Sequence, residues 1–87
     1  MVKPYTILEE TKTHQIRLFE NFNPTDLYWH RDMEDRIVEL LEGSIYIQLD
    51  NSMPTLLQVS DRILIRKNTY HRVIANNNFK VKITFLD

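Results

Sequence analysis

The segment WHRDMEDR contains four side chains that could bind a metal ion or an anion. His30, Asp32, Glu34 and Arg36 recur at every second residue, so they share one face if the segment is an extended strand. Imidazole and carboxylate groups are ligands for divalent transition metals, and a guanidinium binds a carboxylate or phosphate through two parallel hydrogen bonds. A further imidazole, His71, begins the apolar run HRVIA. The sequence therefore offers ligands for a metal, an anchor for an anion, or both.

The composition excludes several other kinds of chemistry. The 87 residues include no cysteine and one glycine, so there is no thiol nucleophile and no glycine-rich phosphate-binding loop. Lys plus Arg total 11 and Asp plus Glu total 12, for a net charge of −1. That balance argues against a dedicated nucleic-acid-binding protein, although the C-terminal half is the more basic one. The longest apolar runs span only a few residues, so we expect a cytoplasmic protein with no membrane span.

Short alternating segments predict an all-β protein. Ile, Val and Thr make up 21 of the 87 residues, which is typical of strands. Apolar and polar residues alternate in FKVKITF (79–85) and SIYIQLD (44–50), which predicts strands with one buried face. Further strands are predicted at 14–19, 26–30, 55–59, 62–66 and 71–75. Turns are predicted at Gly43–Ser44 (interpreted as a hairpin), Ser60–Asp61 and 76–78. The spacing of the turns indicates a sandwich or barrel formed by one domain, residues 1–87.

The segment 33–42 fits two secondary structures. Helix propensity alone predicts a helix, because Asp32 could cap it, acidic residues fill its first turn and Gly43 follows its end. As a strand it has two faces, with Arg36, Val38 and Leu40 on one and Ile37, Glu39 and Leu41 on the other. Both faces could be buried if one lines a barrel and the other meets a second sheet or subunit.

Two segments of the chain, WHRDMEDRIVELLEG (29–43) and SDRILIRKNTYHRV (60–73), resemble the two sequence motifs of the cupin superfamily. The matching positions are the first histidine (His30) and closing glycine (Gly43) of the first motif, and the aspartate (Asp61) and histidine (His71) of the second. The departures are Asp32 for the second histidine, Arg36 for the glutamate, Ser60 and Asn68 for two glycines, and Arg66 for the proline. Asparagine tolerates the left-handed backbone conformation that glycine otherwise takes, so Asn68 is a reasonable substitute.

The resemblance implies a small double-stranded β-helix (jelly-roll) barrel, commonly dimeric, with a pocket inside. It therefore favours a strand over a helix for 33–42. It also implies that His30 and His71 meet in the pocket, where Glu34 or Asp32 would complete a two-histidine, one-carboxylate site for Fe, Mn, Ni or Zn. The fold serves isomerases, dioxygenases and sugar-binding modules, so it does not establish whether the chain is an enzyme.

Two functions remain open at this point. In the first, the protein binds or converts a small polar or anionic molecule, with metal ligands His30, Glu34 and His71. The predicted ligand contacts are then Arg36, Asp32, Tyr46 and Gln48, the last two if their strand face looks inward. In the second, Arg36 pairs with Asp32 or Glu34 in place of a metal, and the barrel has a structural or regulatory role. We expect a homodimer in both cases.

Overall fold

The chain forms eight β-strands, which a computed structural model describes for residues 3–86. The strands are β1 (Thr6–Glu10), β2 (His14–Phe19), β3 (Asp35–Glu42), β4 (Ile45–Leu49), β5 (Thr55–Leu57), β6 (Arg62–Ile65), β7 (His71–Ile74) and β8 (Phe79–Leu86). Within residues 3–86 the helical structure is limited to one 3₁₀ turn, Pro24–Asp26. No helix in this range is long and apolar enough to cross a membrane.

The strands form two antiparallel sheets whose inner faces enclose the core. One sheet has five strands in the order β1-β2-β8-β3-β6, and the other has three in the order β5-β4-β7. The largest fully buried side chains, Leu40, Ile45, Ile47 and Phe79, come from both sheets. The ring of Phe79 also stacks on that of Phe19 with a centroid distance of 4.3 Å. The architecture is a double-stranded β-helix, so the all-β, jelly-roll prediction is confirmed.

The alternation of apolar and polar residues in the sequence correctly predicts which side chains of the two sheets are buried. In β8, Phe79, Val81 and Ile83 are buried, and in β4 Ile45 and Ile47 are buried while Tyr46 between them is exposed. The helix that propensity favours at 33–42 is wrong, because β3 pairs with β8 on one side and β6 on the other. Two long-range ladders outweigh the marginal stability of an isolated short helix.

Gly43 does not form the hairpin turn predicted at Gly43–Ser44. It joins β3 of the five-stranded sheet to β4 of the three-stranded sheet, so the chain passes from one sheet to the other and the two strands do not pair as a hairpin. Its φ of 93° is in the left-handed region. A Cβ here would lie 2.8 Å from the Asn78 carbonyl oxygen and 2.9 Å from Phe79 Cβ. Glycine is therefore required both by the backbone conformation and by the core beneath it.

The structure differs from the strand predictions at two further places: one predicted strand is absent and one observed strand was not predicted. The segment 26–30 is not a strand, because Asn23 caps the 3₁₀ turn by accepting a hydrogen bond from the Thr25 N–H, with Pro24 at its first position. Only His30 of that segment is paired, in an isolated bridge to His71. Strand β1 was not predicted, because its five residues are all exposed and therefore carry no apolar alternation.

Candidate functional site

The two histidines that match the motifs meet at the start of β7. The His30 N–H donates to the His71 carbonyl oxygen at 3.0 Å, and the His71 N–H donates to the His30 carbonyl oxygen at 2.9 Å. This antiparallel bridge brings the two imidazole centroids to 4.3 Å. His71 is buried, with 5% of its surface exposed, whereas the His30 side chain is 42% exposed. The pair therefore spans from the barrel interior to its opening.

Backbone carbonyls fix the proton on both imidazoles. The Nδ1 atom of His30 lies 3.0 Å from the Tyr28 carbonyl oxygen, and that of His71 lies 2.8 Å from the Thr69 carbonyl oxygen. A carbonyl oxygen can only accept, so each Nδ1 carries the hydrogen. In the neutral ring the lone pair is then on Nε2. Both Nε2 atoms consequently present acceptors, at 3.9 Å (His30) and 3.3 Å (His71) from Asp32 Oδ2.

Asp32 supplies the third group of this cluster. Its Oδ2 atom is buried and has no hydrogen-bond partner among residues 3–86. Its main chain is held by the turn before β7, because the Asn68 N–H donates to the Asp32 carbonyl oxygen at 2.8 Å. Asn68 has a left-handed φ of 64°, as expected for the residue that replaces a motif glycine. The same turn therefore places Asp32 and, through Thr69, the ring of His71.

The donor atoms of the three side chains lie close together. Ligand atoms from His30, Asp32 and His71 all lie within 4.8 Å of one another, and a neutral imidazole with its hydrogen on Nδ1 or an ionised carboxylate offers an electron pair there. Burial lowers the pKa of His71, and neighbouring His30 and Arg36 lower it further, against the Thr69 carbonyl and Asp32, which raise it. His71 therefore favours its neutral, metal-binding form. Two imidazoles and one carboxylate make a donor set typical of transition-metal sites.

Arg36 and Glu34 lie beside this cluster and pair with each other. The Arg36 Nε and Nη2 atoms are 2.7 and 2.6 Å from Glu34 Oε1, while Nη1 is 3.5 Å from Asp32 Oδ1. Glu34, one of the two carboxylates considered as a metal ligand, is thus held by Arg36, and Asp32 is the carboxylate that faces the histidines. The guanidinium turns toward the carboxylates and leaves Asp32 Oδ2 free.

Tyr46 and Gln48, predicted as ligand contacts, lie on the outer face of β4. They alternate with Ile45 and Ile47, which are buried in the core, and Tyr46 is exposed. Gln48 accepts a hydrogen bond from Arg72 Nε at 2.9 Å and donates to the Ser52 carbonyl. The structure therefore does not bring either side chain to the histidines.

The barrel contains a cavity of about 750 Å³ that includes the cluster, a size in the range of small-molecule sites. Its wall is mostly apolar, and its lining includes Val38, Ile47, Ile65, Val73, Val81 and Ile83. Sequence reasoning missed five polar residues of the lining, Lys3, Tyr5, Arg17, Asp26 and Tyr28. One signal was available for Arg17. It lies two residues before Phe19 in HQIRLF, and residues two apart in a strand share a face.

Comparison with solved structures identifies the fold. One match is a cupin-2 domain containing protein from Shewanella frigidimarina, with a TM-score of 0.67 and 23% identity over 92% of this chain and 76% of that one. Another is a cupin superfamily protein from Desulfitobacterium hafniense, with a TM-score of 0.71 and 21% identity over 95% and 76% of the two chains. The chain has the cupin fold. The resemblance read from the two motifs is thereby confirmed at the level of the fold.

A third structure with the same fold is FeII HppE, with a TM-score of 0.73 and 18% identity. The match covers 94% of this chain and 50% of that one. No protein-family model matches this sequence, and no curated protein matches it. His30, Asp32 and His71, which the sequence resemblance aligns with three motif positions, converge in the structure, and Arg36, aligned with a fourth, lies beside them.

Proposed function

We propose that this protein holds one divalent transition metal at His30, Asp32 and His71 and binds a small polar or anionic molecule in the adjoining cavity. The observation that carries the proposal is the buried Asp32 Oδ2 atom, which has no hydrogen-bond partner in the described chain and faces two imidazole Nε2 atoms. Three acceptors at one point repel one another unless a cation lies between them. Fe, Mn, Ni and Zn all accept such ligands.

The residues around the centre have separable roles in this proposal. A bound metal would supply Lewis acidity and open coordination positions, as is typical of a two-histidine, one-carboxylate set. The Tyr28 and Thr69 carbonyls orient the two imidazoles, and Arg36 orients Asp32 through its Oδ1 atom. Such supporting contacts commonly raise the affinity of a metal site.

Metal analysis tests the proposal. Untagged protein purified without chelator is analysed for metal and then titrated anaerobically with Fe(II), Mn(II), Ni(II) and Zn(II). We expect about one equivalent of saturable binding to the wild type and its loss in Asp32→Asn and His71→Gln. Glu34→Gln is the matched control, because it should retain binding if Asp32 is the ligand. Less than about a tenth of an equivalent, with no saturable binding of any of the four ions, would contradict the proposal.

A metal-free structural or regulatory module is the second candidate. It is favoured by Arg36, which stands at the glutamate position of the motif and pairs with both Asp32 and Glu34. In this alternative the guanidinium balances the charge that a metal would otherwise balance. The same titration decides between the two candidates, because only the first requires stoichiometric binding that depends on Asp32.

A further inference from the structure

Arg17 points into the barrel from the middle of β2. It pairs in register with Val81 and precedes Phe19 on the same face, and both of those side chains are buried. The Arg17 Cζ atom lies 4.4 Å from the centroid of the Tyr5 ring, which makes a cation–π contact. Its Nε–H donates to Gln15 Oε1 at 2.8 Å. The guanidinium is therefore held in a fixed position on the cavity wall.

This guanidinium has no carboxylate partner within residues 3–86. The ion pairs of that range involve other cations, and the hydrogen bond to Gln15 uses only Nε. Burial lowers the pKa of Arg17, because it removes the charged group from water, yet a guanidinium stays charged at neutral pH. Arg17 is half-buried, and the nearby carboxylates of Asp32 and Glu10 raise its pKa without forming an ion pair with it. Its charge is therefore only partly compensated, and an anion in the cavity would complete the compensation. Arg36, in contrast, already has two carboxylates.

The surroundings of Arg17 indicate what kind of anion fits. Lys3 Nζ lies 5.6 Å from the same Tyr5 ring, which adds a second positive charge. Asp26 and Asp32 also line the cavity, but neither forms an ion pair with Arg17. Most of the remaining wall is aliphatic or aromatic. A ligand that matches this cavity has one anionic end and an apolar body.

We propose that Arg17 anchors the carboxylate of a small carboxylic acid, whose apolar body lies against the aliphatic wall of the cavity. The two terminal amino groups of a guanidinium match the two oxygens of a carboxylate. The Tyr5 ring and the Gln15 side chain hold the guanidinium plane in position for that contact. This inference rests on the proposed use of the cavity as a ligand site, and it adds the class of ligand and the residue that selects it.

The test is a nuclear magnetic resonance titration of the full chain with propanoate, hexanoate and phenylacetate, and with the neutral phenylacetamide. The protein is first stripped of metal with a chelator that is then removed, so that binding through a metal does not contribute. We expect at least one acid to shift the Arg17 Nε–H resonance and the cavity methyl resonances, and the amide to bind more weakly. Arg17→Gln should weaken binding of that acid about ten- to a hundredfold, the effect of losing a charged hydrogen-bonding partner.

Two further variants keep the test decisive. Arg62→Gln, on the exposed outer face of β6, should bind the acid as the wild type does. Arg17→Lys keeps the charge and should bind with intermediate affinity, and it replaces Arg17→Gln if the latter does not fold. The inference is overturned if no acid shifts the Arg17 resonance, or if a folded Arg17→Gln binds as tightly as the wild type. Acid binding in a protein that takes up no metal would contradict the metal centre alone, whereas metal uptake without acid binding would contradict the Arg17 anchor alone.

Discussion

Asp32 has two oxygens with different surroundings, and this difference separates two roles within one side chain. Oδ2 faces the two imidazoles, while Oδ1 lies 3.5 Å from Arg36 Nη1. Because Arg36 also contacts Glu34, it links the carboxylate that faces the histidines to a second acidic group. Arg36 therefore acts on the proposed centre through Asp32 and does not need to contact the metal.

This arrangement predicts the effect of removing the guanidinium. Arg36→Gln should weaken metal binding about ten- to a hundredfold, because Asp32 loses the contact that orients it. The affinity is measured by competition with a coloured chelator, and thermal unfolding of the metal-free protein confirms that the variant folds. The matched control is Arg66→Gln, an exposed residue. Equal affinities in wild type and Arg36→Gln would show that Arg36 does not position Asp32.

The burial of His71 predicts a pH dependence of stability in the metal-free protein. Burial lowers the pKa of His71 below its ordinary value of 6.5, so below pH 6.5 the unfolded chain binds more protons than the folded one. The contribution is fully present above pH 6.5 and is lost as the pH falls through the lowered pKa. Urea unfolding at pH 7.5 and at pH 5.5, both above the ordinary range of carboxyl groups, should give the lower free energy of unfolding at pH 5.5. His71→Gln should reduce that difference, and an unchanged difference would refute the assignment.

At the scale of elements, Gly43 connects the two sheets. Gly43→Ala should lower the free energy of unfolding by about 1–3 kcal/mol for two reasons. The backbone has a positive φ that is strained for alanine, and the added Cβ would clash with the buried Phe79. Ser44→Ala, one residue later and exposed, should change it by less than about 0.5 kcal/mol. Denaturant unfolding of both variants checks the prediction. Equal stabilities would mean that the crossing can rearrange.

The elements also show how far the sequence could be interpreted. Strands β4 and β8 were predictable because each has one buried and one exposed face, which alternation reports directly. The pairing of His30 with His71 came from the resemblance, since no local pattern places residues 41 positions apart in contact. Strand β1 has no buried face, so it gave no signal. The position of Arg17 in the cavity could not be predicted. It depends on the pairing of β2 with β8 and on the packing of the Tyr5 ring against the guanidinium.

At the scale of the whole molecule, the homodimer predicted from the sequence has a candidate surface. Ile37 and Leu64 are register partners on the outer face of the five-stranded sheet, where Leu64 is 43% exposed. In the next row of the same face, Arg62, Glu39 and Lys82 are neighbours and alternate in charge. A two-fold axis through such a face could bring opposite charges together while covering the apolar pair.

If this face forms the dimer, Leu64→Lys should convert the protein to a monomer. The substitution places a charge at the centre of the apolar contact. Burying that charge in the dimer costs free energy, whereas in the monomer the charge stays in water. Light scattering coupled to size-exclusion chromatography measures the mass in solution. Met53→Lys, at a residue that is 83% exposed before β5, is the control and should remain dimeric. A monomeric wild type at high concentration would rule out the dimer.

The left-handed corners of the barrel have a thermodynamic consequence. Within residues 3–86, four residues other than glycine have positive φ, and three of them are Asn21, Asn51 and Asn68. Glycine would adopt these corners with less strain, but it would also give the denatured ensemble more conformations to lose on folding. With asparagine instead of glycine at these positions, the denatured state of this chain of 87 residues has fewer conformations, so less conformational entropy is lost on folding. That economy of conformational entropy matters most in a small protein, whose core is modest.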